Sequence, residues 1–570
     1  MPLRTKVNDL RKKRLGLDFG ADEPQDMAAG EGDGIPLPAS GSTGPKDDRF
    51  YYFWDRFCAR PKYPKVSVTP SLDVDIEGEP SHQPDSNKEG IVTSSQKASL
   101  SYDEAARACK SKVRAIAEEC KRLNVKYYDR TWDLGSVDTL QSLEATEVPY
   151  SLQGLAGVQS VKRVEDIFEN PQFYEDGATA NDVCQGTVGD CWFLAAITAL
   201  SGKPELLERI CVDRDEKVGV YGFVFYRDGE WISEVVDDRL ALRQNDDKWS
   251  YTSEYMITTD GRKAYKDIYP LQAGEYSISR LPKDFRENLR KGSNALYFSS
   301  CRSKNETWLP LLEKAYAKAH GDYQAIEGGF PGEGRIEDLT GGVATYLYSE
   351  HVLDKDKLWS ELTQVNKDFL FGCGSRYGRD SDPRDDEGFV RGHAYSVLEA
   401  REVNELRLLK IRNPWGETEW NGAWSDGSKE WTPEMMKELG HTFGDDGIFW
   451  ISYKDFLKYY PEIDRTRLFD DSWTVTQQWT SVEVPWTADY LSTKYSLTLK
   501  EKSPVVLVLS QPDERYFNGL DGRYRYDLHF RLYKNGEKTY IARSIQDSGS
   551  GRSCSAELDL DAGEYTIYVK

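Results

Sequence analysis

A cysteine at the start of a predicted helix is the residue best placed for nucleophilic chemistry. Cys191 follows Asp190 and opens ten residues of helix-forming composition that end at Ser201-Gly202. Asp190 is the predicted N-cap. The unpaired N–H groups and the dipole of a helix N-terminus favour an anion, which lowers a thiol pKa and yields the nucleophilic thiolate. The alternative is a buried core cysteine beside Trp192.

A glutamine upstream of this cysteine supplies a candidate oxyanion donor. Gln185 lies six residues before Cys191, and Gly186 and Gly189 between them let the backbone bend tightly. The side-chain amide of Gln185 and the backbone N–H of Cys191 can together hold a developing oxyanion.

A histidine and an asparagine lie at the open end of a predicted hairpin. Residues 394–399 and 406–412 are predicted strands, joined by the polar turn 401–405. Folding about residue 403 places His393 opposite Asn413. An Asn carbonyl that accepts from one imidazole nitrogen fixes the ring and its tautomer, and leaves the other nitrogen for a thiol. The order Cys, His, Asn with a long first gap predicts two lobes, each with half of the site.

Composition and charge argue against several classes of protein. The 570 residues carry 74 Lys and Arg against 96 Asp and Glu, a net charge of −22. Such a chain lacks the basic character of a nucleic-acid binder and suits divalent cations, although most surplus carboxylates are expected to be solvated surface. No apolar run approaches a membrane span or a signal peptide. Nine scattered cysteines predict reduced thiols and a cytoplasmic location, not a disulfide framework.

Composition and periodicity divide the chain into five predicted segments. The first is rich in Gly, Pro, Ser and Asp, a composition that cannot bury enough apolar surface to offset the entropy of ordering. The last has short strands with turn signals, typical of a sandwich. The segments are a disordered acidic tail (1–100), an N-terminal helical segment (101–165), a lobe with the cysteine (166–328), a lobe with the His–Asn pair (329–465) and a β-sandwich (466–570).

Several elements inside these segments are predicted individually. The aromatic patch 50–54 either docks on a folded surface or forms a disordered hydrophobic cluster. Cys109 and Cys120 lie on the apolar stripe of a predicted helix over 102–125 and are expected to pack in a core. Further predictions are a hairpin over 220–236, a buried helix over 308–319, a Gly-rich hinge over 327–332, strands over 505–509, 524–532 and 565–569, and a turn at Asn535-Gly536.

Three segments of this sequence resemble the signature segments of calpains, the intracellular calcium-regulated cysteine proteases of papain-like fold. They are QGTVGDCWFLAA (185–196), GHAY (392–395) and IRNPWGETEWNGAWSD (411–426). LLEKAYAK (311–318) and DLTGGV (338–343) extend the resemblance, which covers roughly 166–465 strongly, 466–570 weakly and 1–100 not at all.

The resemblance implies an α+β fold. It consists of a papain-like two-lobed cysteine protease core followed by an all-β calpain-type β-sandwich, as in the non-classical type without a penta-EF-hand domain. It also implies Cys191 as nucleophile, His393 as general base and then acid, Asn413 as its orienter and Gln185 as oxyanion donor. Trp415 matches the family tryptophan that shields the Asn–His pair and can wedge between the lobes without calcium.

The same resemblance implies a first Ca²⁺ site beside the nucleophile. Its ligands would be the carbonyl oxygens of Glu175 and Gly177 and the carboxylates of Asp182 and Glu306. Ca²⁺ takes six to eight oxygens from carboxylates and bent backbone, and the sequence offers both here. The alternative is a solvated acidic loop.

A second Ca²⁺ site is implied with a defect. Ile448 stands where the family has a further acid, and Ala180 stands where the family has the arginine that pairs with that acid. We therefore expect the second site to be weak or empty, with altered calcium coupling between the lobes. Its remaining ligands would be Glu419, Asp426, the Gly444 carbonyl and Asp446.

Other chemistry-bearing residues receive structural interpretations. The acidic insert 380–388 is either a mobile gating loop, as the family has near this position, or an exposed charged loop. Cys184 is expected to be a packed thiol. No zinc-type spacing links the remaining histidines, which are His82, His320, His351, His441 and His529.

The expected function is an intracellular calcium-dependent cysteine endopeptidase that makes limited cleavages through a Cys–His–Asn triad and an acyl-enzyme. One alternative is a catalytically weak calpain-like scaffold, and another is acyl transfer of the transglutaminase kind, which Asn413 in the third role argues against. Expected partners are protein substrates and, through the sandwich, a lipid or protein, with no nucleic acid, transmembrane segment or dedicated small subunit. The chain ends inside a predicted strand, 565–570, which leaves truncation open.

Overall fold

The computed structural model describes most of the chain from residue 96 onward. The aromatic patch 50–54, the insert 380–388, and the tail before residue 96 lie outside the described residues, as does the hinge beyond residue 327. The described residues are 96–134, 160–175, 177–186, 189–242, 256–257, 263–264, 292–327, 335–375, 390, 392–444, 446–478, 489–513, 515, 526–544 and 552–570.

The described helices lie between residues 98 and 459. None of those described is both long and apolar enough to cross a bilayer. Their bounds are α1 Ala98–Leu123, α2 Val164–Ile167, α3 Cys191–Leu200, α4 Pro204–Ile210, α5 Trp308–His320, α6 Arg335–Thr340, α7 Lys355–Leu362, α8 Pro433–Leu439 and α9 Tyr453–Tyr459.

Strands dominate the rest of the described chain. Up to α6 they are β1 Gln96–Lys97, β2 Ser160–Arg163, β3 Val183–Cys184, β4 Cys211–Asp215, β5 Val220–Arg227, β6 Glu230–Asp237, β7 Arg239–Leu242, β8 Met256–Ile257, β9 Lys263–Ala264 and β10 Ser300–Cys301. After α6 they are β11 Val343–Tyr348, β12 Phe369–Gly374, β13 Ala394–Val403, β14 Leu406–Arg412, β15 Ile448–Ser452, β16 Glu462–Arg467, β17 Thr474–Val475, β18 Lys494–Leu499, β19 Ser503–Ser510, β20 Phe530–Lys534, β21 Ala542–Arg543, β22 Ser553–Leu560 and β23 Gly563–Val569.

The Cys lobe, the described residues within 160–327, is built around two buried helices. Every residue of α3 after Cys191 is buried, and α5 is buried along its whole length. The two helices pack closely, since the Phe193 and Tyr316 rings stack with centroids 4.1 Å apart. Helices that are buried along their whole length need neighbouring elements on every side. The antiparallel sheet β4-β5-β6 supplies part of this cover.

Helix α1 closes the outer side of this sheet. Its stripe includes Cys109 and Val113, which pack in a core with valines of β5 and β6, as the sequence predicts. The approach is so close that a Cβ at Gly222 of β5 would lie 2.5 Å from a Val113 methyl and 2.7 Å from the Cys109 sulfur. Gly222 therefore sets how near the helix comes to the sheet.

The His lobe, the described residues within 335–467, has its own core. In the described part of the chain its strands form one antiparallel sheet in the order β11-β16-β12-β13-β14-β15. Phe371, Val397, Ile411 and Phe449 are fully buried along this sheet. Most of this cluster lies apart from the core around α3, but Leu370 of β12 and Ala394 of β13 belong to the α3 core, so the two halves also pack directly against each other.

The predicted hairpin of the His lobe is present with a different register. Strands β13 and β14 pair Ser396 with Arg412 and Val403 with Leu406. The turn is only Asn404-Glu405, both residues having positive φ, and a bulge follows Val397. A shorter turn and a bulge move the ladder, so the predicted pairing of residue 393 with residue 413 across the strands is wrong by two positions.

The last region, the described residues within 489–570, is all β. One sheet has the order β18-β23-β20-β21, and β19 pairs with β22 in another. Leu507, Leu558 and Ile567 from both sheets pack together between them. This arrangement is the β-rich region expected after the core. The turn at Asn535-Gly536 follows β20 as predicted, and Gly536 has a φ of +89°.

One predicted strand in this region is wrong in position. Residues 524–532 alternate, yet the ladder covers only Phe530–Lys534. Tyr526 is instead held by the Gln511 side chain, whose Nε2 donates to its carbonyl at 2.7 Å and whose Oε1 accepts from its N–H at 3.1 Å. The side-chain amide thus takes the place of a neighbouring strand.

A buried ion-pair network attaches the all-β region to the core. Asp338 of α6 accepts from Arg552 at 2.6 Å, from Arg515 at 3.4 Å and from the Tyr316 hydroxyl at 2.7 Å. Asp513 pairs with both arginines from the other side. Buried charges in such a network are costly to separate, because the partner left behind has no water to solvate it.

We predict that Asp338→Asn destabilises the protein by about 3 kcal/mol or more, because it leaves buried guanidinium charge uncompensated. Chemical denaturation of the full chain measures this. The matched control is Asp356→Asn, since Asp356 is 83% exposed in its pair with Arg407 and its loss should leave the denaturation midpoint unchanged. Equal midpoints for both variants would contradict the role assigned to the network.

Candidate active site

Cys191 is the first residue of α3. Asp190 is the N-cap by its backbone, since its carbonyl accepts from the N–H groups of Phe193 at 2.9 Å and Leu194 at 3.2 Å. Its side chain makes no capping hydrogen bond, contrary to what an N-cap aspartate usually does, and is buried. Because the carboxyl group turns into the core, the helix N-terminus keeps its electropositive character around Cys191.

His393 and Asn413 are joined by a hydrogen bond. The His393 Nε2 and Asn413 Oδ1 atoms are 2.8 Å apart, although the residues are not paired in the ladder. The amide orientation is settled by its other side, where Nδ2 donates to the carbonyls of Glu417 at 2.9 Å and Thr418 at 3.0 Å. Oδ1 must therefore face His393, and it also accepts from the Trp415 N–H at 3.0 Å.

This amide determines the protonation of the imidazole. An acceptor at Nε2 requires the proton there, so Nδ1 carries the lone pair. Burial lowers the pKa of His393 to about 4, against the opposing effect of the Asn413 bond. The ring is thus neutral near pH 7 in this arrangement. Its backbone is fixed as well, since Ser375 Oγ accepts from the His393 N–H at 3.1 Å.

Trp415 connects this pair to the other lobe. Its ring lies against His393, with centroids 4.6 Å apart, and covers the polar pair with an apolar surface. Its Nε1 donates to Gln185 Oε1 at 2.8 Å. Because that bond fixes the carbonyl end of the Gln185 amide, it also sets the direction of Nε2, the end that can donate to an oxyanion.

The backbone at Gln185 is held against a neighbouring segment of the Cys lobe. A Cβ at Gly186 would lie 2.2 Å from the Phe298 carbonyl oxygen, so only glycine allows this approach. Strand β3, which ends at Cys184, pairs with β10 in the same segment. The position of Gln185 thus follows from a short ladder and one glycine.

Further hydrogen bonds hold the two lobes together beside the site. Ser396 Oγ of β13 donates to the Ala195 carbonyl, one turn after Cys191 in α3, at 2.6 Å. Arg412 donates to the Val183 carbonyl at 3.0 Å, and Arg302 donates to the Gly416 carbonyl at 2.6 Å. Within the described residues no hydrogen bond joins the Cys191 thiol to His393, so the triad is assembled only in part.

The first predicted cation group is brought together. The Glu306 Oε1 atom accepts from the Glu175 N–H at 3.3 Å, and Glu306 is buried. Gly177 has a φ of +88° in the loop between them and Asp182. Asp182 adjoins β3, opposite β10, from which the chain leads to Glu306. Glu306 and the bent backbone at Gly177 offer oxygen donors of the kind that Ca²⁺ takes, whereas the Asp182 carboxylate accepts from the Thr179 N–H and hydroxyl, each at 2.8 Å.

The second predicted cation group also converges. Glu419 accepts from the N–H groups of Asp446 at 3.1 Å and Gly447 at 2.9 Å, and Asp426 accepts from the Gly444 N–H at 2.9 Å. Burial raises the pKa of Glu419 to about 7, and the Asp426 and Asp446 carboxylates add to the rise. Such mutual repulsion is what a bound cation would relieve.

Two features make this second group a poorer binding site for Ca²⁺. Ile448 supplies no side-chain oxygen, as its type dictates. His441 Nε2 lies 2.8 Å from Asp426 Oδ1, and its ring stacks on Trp431 at a centroid distance of 4.1 Å. A cation that recruits Asp426 must compete with this imidazole. The sequence offered no sign of the contact between His441 and Asp426.

A third group of potential ligands is unsuited to a metal. His320 lies with Asp338 and Asp513, and its other neighbours include Arg515. The two carboxylates already pair with Arg515 and Arg552, which balance their charge. A divalent ion would add uncompensated positive charge to a buried cluster.

Comparison with known proteins decides the family. The model of the family described as calpain family cysteine protease matches residues 148–264 and 282–467, just over half of the chain. These ranges contain Gln185, Cys191, His393 and Asn413.

The chain belongs to the calpain family of cysteine proteases.

Individual calpains match just over half of the chain. The chain is 36% identical over 324 residues to the calpain-1 catalytic subunit of Bos taurus, covering 55% of this chain and 38% of that protein. It is 34% identical over 326 residues to calpain-9 of Homo sapiens, covering 55% and 40%. It is 33% identical over 334 residues to the calpain-type cysteine protease ADL1 of Oryza sativa subsp. japonica, covering 57% and 13%. The chain thus matches well under half of the length of these relatives.

Several site contacts were missed by sequence reasoning. The bond from Trp415 to Gln185, the support of His393 by Ser375, and the inter-lobe bond of Arg412 join residues far apart in the chain. Only for Arg412 could the sequence have indicated such a contact. Arg412 ends a predicted strand immediately before Asn413, so its side chain must point to the opposite face of the sheet from that of Asn413.

We predict that His393 makes acid stability pH-dependent. Its pKa in the folded chain, about 4, lies below the ordinary 6.5, so the unfolded chain binds the extra proton as pH falls from 6.5 to 4. Over that window the wild type should lose about 3 kcal/mol relative to His393→Gln. Denaturant titrations of both proteins at several pH values measure it. Parallel stability curves would show that the imidazole is not held neutral.

Proposed function

We propose that this calpain-family chain is a calcium-dependent cysteine endopeptidase that makes limited cleavages in protein substrates. The observation that carries the proposal is the His393–Asn413 hydrogen bond with its amide held from behind by two carbonyls. That arrangement presents a neutral imidazole with its Nδ1 lone pair available as a base, the state a thiol nucleophile requires.

The first chemical step is formation of the acyl-enzyme. When the lobes close, the thiol of Cys191 passes its proton to His393 Nδ1, and the thiolate attacks the peptide carbonyl carbon. The oxyanion rests on Gln185 Nε2 and the Cys191 N–H. As the C–N bond breaks, the imidazolium returns its proton to the leaving amine. A water molecule, deprotonated by His393, then hydrolyses the thioester and restores the thiol.

Calcium is assigned to the first cation group. Glu175 and Gly177 would provide carbonyl oxygens, and Asp182 and Glu306 would provide carboxylates. A bound Ca²⁺ would supply positive charge that ties the loop before β3 to the segment after β10. Because these segments lead to Gln185 and support Phe298, this group is adjacent to the oxyanion donor. At the second group the Ile448 side chain and the His441–Asp426 contact favour weak binding.

The surroundings of the reaction follow from composition and from the family. Eight described cysteines are unpaired thiols, which favours a reducing compartment and hence a cytoplasmic location. The all-β region is proposed as a contact surface for lipid or protein. The scaffold alternative is less favoured because Gln185, Cys191, His393 and Asn413 are all present. Amine incorporation into casein would distinguish transglutaminase-type acyl transfer.

We predict that Cys191→Ser abolishes both casein cleavage and labelling by a cysteine-directed epoxide, since a serine here has no comparably ionisable group. Cys120→Ser is the matched control, because Cys120 is a packed thiol of α1 and burial raises its pKa. It should cleave and label as the wild type does. Cleavage by the Cys191 variant at the wild-type rate would refute the proposed nucleophile.

We predict one calcium-binding event of appreciable affinity in isothermal titration of the full chain. Asp182→Asn should weaken that event at least tenfold, since a charged oxygen ligand is lost, and should raise the calcium concentration needed for peptidase activity. Asp426→Asn should alter neither. Two tight, cooperative events in the wild type, or equal effects of the two variants, would contradict this assignment of the sites.

A further inference from the structure

Two buried carboxyl groups meet directly behind the nucleophile. Asp190, the N-cap of the Cys191 helix, and Glu313, in the middle of α5, are each almost entirely inaccessible, with 1% and 0% exposure. Their side chains share a direct hydrogen bond, which raises the pKa of Asp190 and lowers that of Glu313. Carboxyl groups in such contact cannot both be ionised at low cost.

Hydrogen-bond accounting requires a proton between them. Glu313 Oε2 accepts from the Ser299 N–H at 2.8 Å and from its Oγ at 2.5 Å. Among the described residues, no N–H or O–H group donates to Glu313 Oε1 or to either carboxyl oxygen of Asp190. These oxygens are buried acceptors without a donor unless one carboxyl is protonated and donates to the other.

The groups that face the pair do not supply a compensating charge. Cys191 lies on the same helix as Asp190, and Ser299 contacts Glu313 from the segment before β10. The Tyr323 hydroxyl, just after α5, is also near, and burial together with both carboxyl groups raises its pKa. No lysine or arginine forms an ion pair with Asp190 or Glu313 in the described part of the chain. Burial raises the pKa of both carboxyl groups; the contact with Glu313 raises that of Asp190 further, whereas the hydrogen bonds with Asp190 and Ser299 oppose the rise at Glu313.

We propose that Asp190 and Glu313 share one proton and act as positioning residues for Cys191. The shared proton fastens the start of α3 to α5, and it limits the charge beside the thiol to one negative charge. When this proton is lost at alkaline pH, two like charges face each other next to Cys191. Their repulsion displaces the helix start, and the added negative charge disfavours the thiolate. This inference deepens the proposed function and rests on Cys191 being the reactive thiol.

The pair also explains the unusual N-cap. An aspartate that capped its own helix would place its negative charge on the N–H groups of Trp192 or Phe193, next to the Cys191 N–H that is assigned to the oxyanion. Bonded to Glu313 instead, Asp190 anchors the helix and keeps that charge away from the oxyanion position. Anchor and nucleophile are adjacent residues, so a movement of one is transmitted directly to the other.

The test follows the alkylation of Cys191 by iodoacetamide as a function of pH. Glu313→Gln and Asp190→Asn each keep a hydrogen bond, because the new amide donates to the remaining carboxylate, and each fixes the pair at one negative charge. Near neutral pH both variants should alkylate within about twofold of the wild type. Above the pH at which the wild-type pair loses its proton, both should alkylate about tenfold faster than the wild type, because only the wild type then carries a second negative charge beside the thiol.

Controls separate this inference from the proposed function and from general effects of buried charge. Glu337→Gln removes a buried carboxyl whose pKa is raised to about 7 but whose charged neighbours are Arg552 and Asp338, and it should follow the wild-type profile. Mass spectrometry locates the alkylated residue. If label on the wild type is not at Cys191, the proposed function fails. If it is at Cys191 but variants and wild type keep a constant ratio at every pH, only the shared proton is refuted.

A double variant keeps the proposal testable if one of the single variants does not fold. The double substitution Asp190→Asn with Glu313→Gln pairs two amides, which bond to each other without any charge. At alkaline pH the double variant should therefore alkylate as fast as the two single variants and faster than the wild type. Infrared absorption by a protonated carboxyl C=O group should be present in the wild type near neutral pH and reduced in this double variant. Identical carboxyl absorption and identical alkylation profiles in the two proteins would overturn the proposal.

Discussion

The orientation of one side-chain amide, that of Asn413, is the constraint on which the site depends. Two backbone carbonyls hold its Nδ2, so its Oδ1 must face the imidazole. That single choice fixes the tautomer of His393, and the same oxygen holds the Trp415 backbone. Trp415 in turn bonds to Gln185 of the other lobe. One amide thus sets the base, its apolar cover and the direction of the oxyanion donor.

The fold maintains this arrangement across two cores. Helix α3 is buried on all sides, so the position of Cys191 is set by close packing within the Cys lobe. The His lobe contributes a sheet whose strand β13 bonds to the same helix through Ser396. The alignment of thiol and imidazole therefore depends on the hydrogen bonds between the lobes and on the packing of Leu370 and Ala394 of the His lobe into the core around α3. The calcium ligands proposed next to Gln185 would be well placed to influence that alignment.

Much of this was accessible from local sequence patterns. The buried helix α5 was expected to end within one residue of its observed end, and the β5–β6 hairpin turns at Asp228-Gly229 as predicted. The register at His393 was wrong because a bulge after Val397 leaves no mark in the residue pattern. The His393–Asn413 contact survived this error, since side chains can bridge an offset of two residues.

Long-range electrostatics could not be predicted in the same way. Asp338 and Arg552 are 214 residues apart, and Asp190 and Glu313 are also far apart in sequence. Each is an ordinary charged residue in a segment whose periodicity indicates only a helix or a strand. Their partners become evident only when the tertiary fold shows which charges are buried together and which lack a donor. Nor could local patterns indicate that the Asp190 side chain bonds to Glu313 and does not cap its own helix.

The most direct measurement is a crystal structure of the calcium-loaded chain with a peptide aldehyde. We expect a bond between Cys191 Sγ and the aldehyde carbon, with the former carbonyl oxygen turned toward Gln185 Nε2. His393 Nδ1 should lie within hydrogen-bonding distance of the adduct, while its Nε2 still bonds to Asn413 Oδ1. An adduct on a different cysteine, or His393 directed away from the Cys191 adduct with its bond to Asn413 broken, would contradict the account.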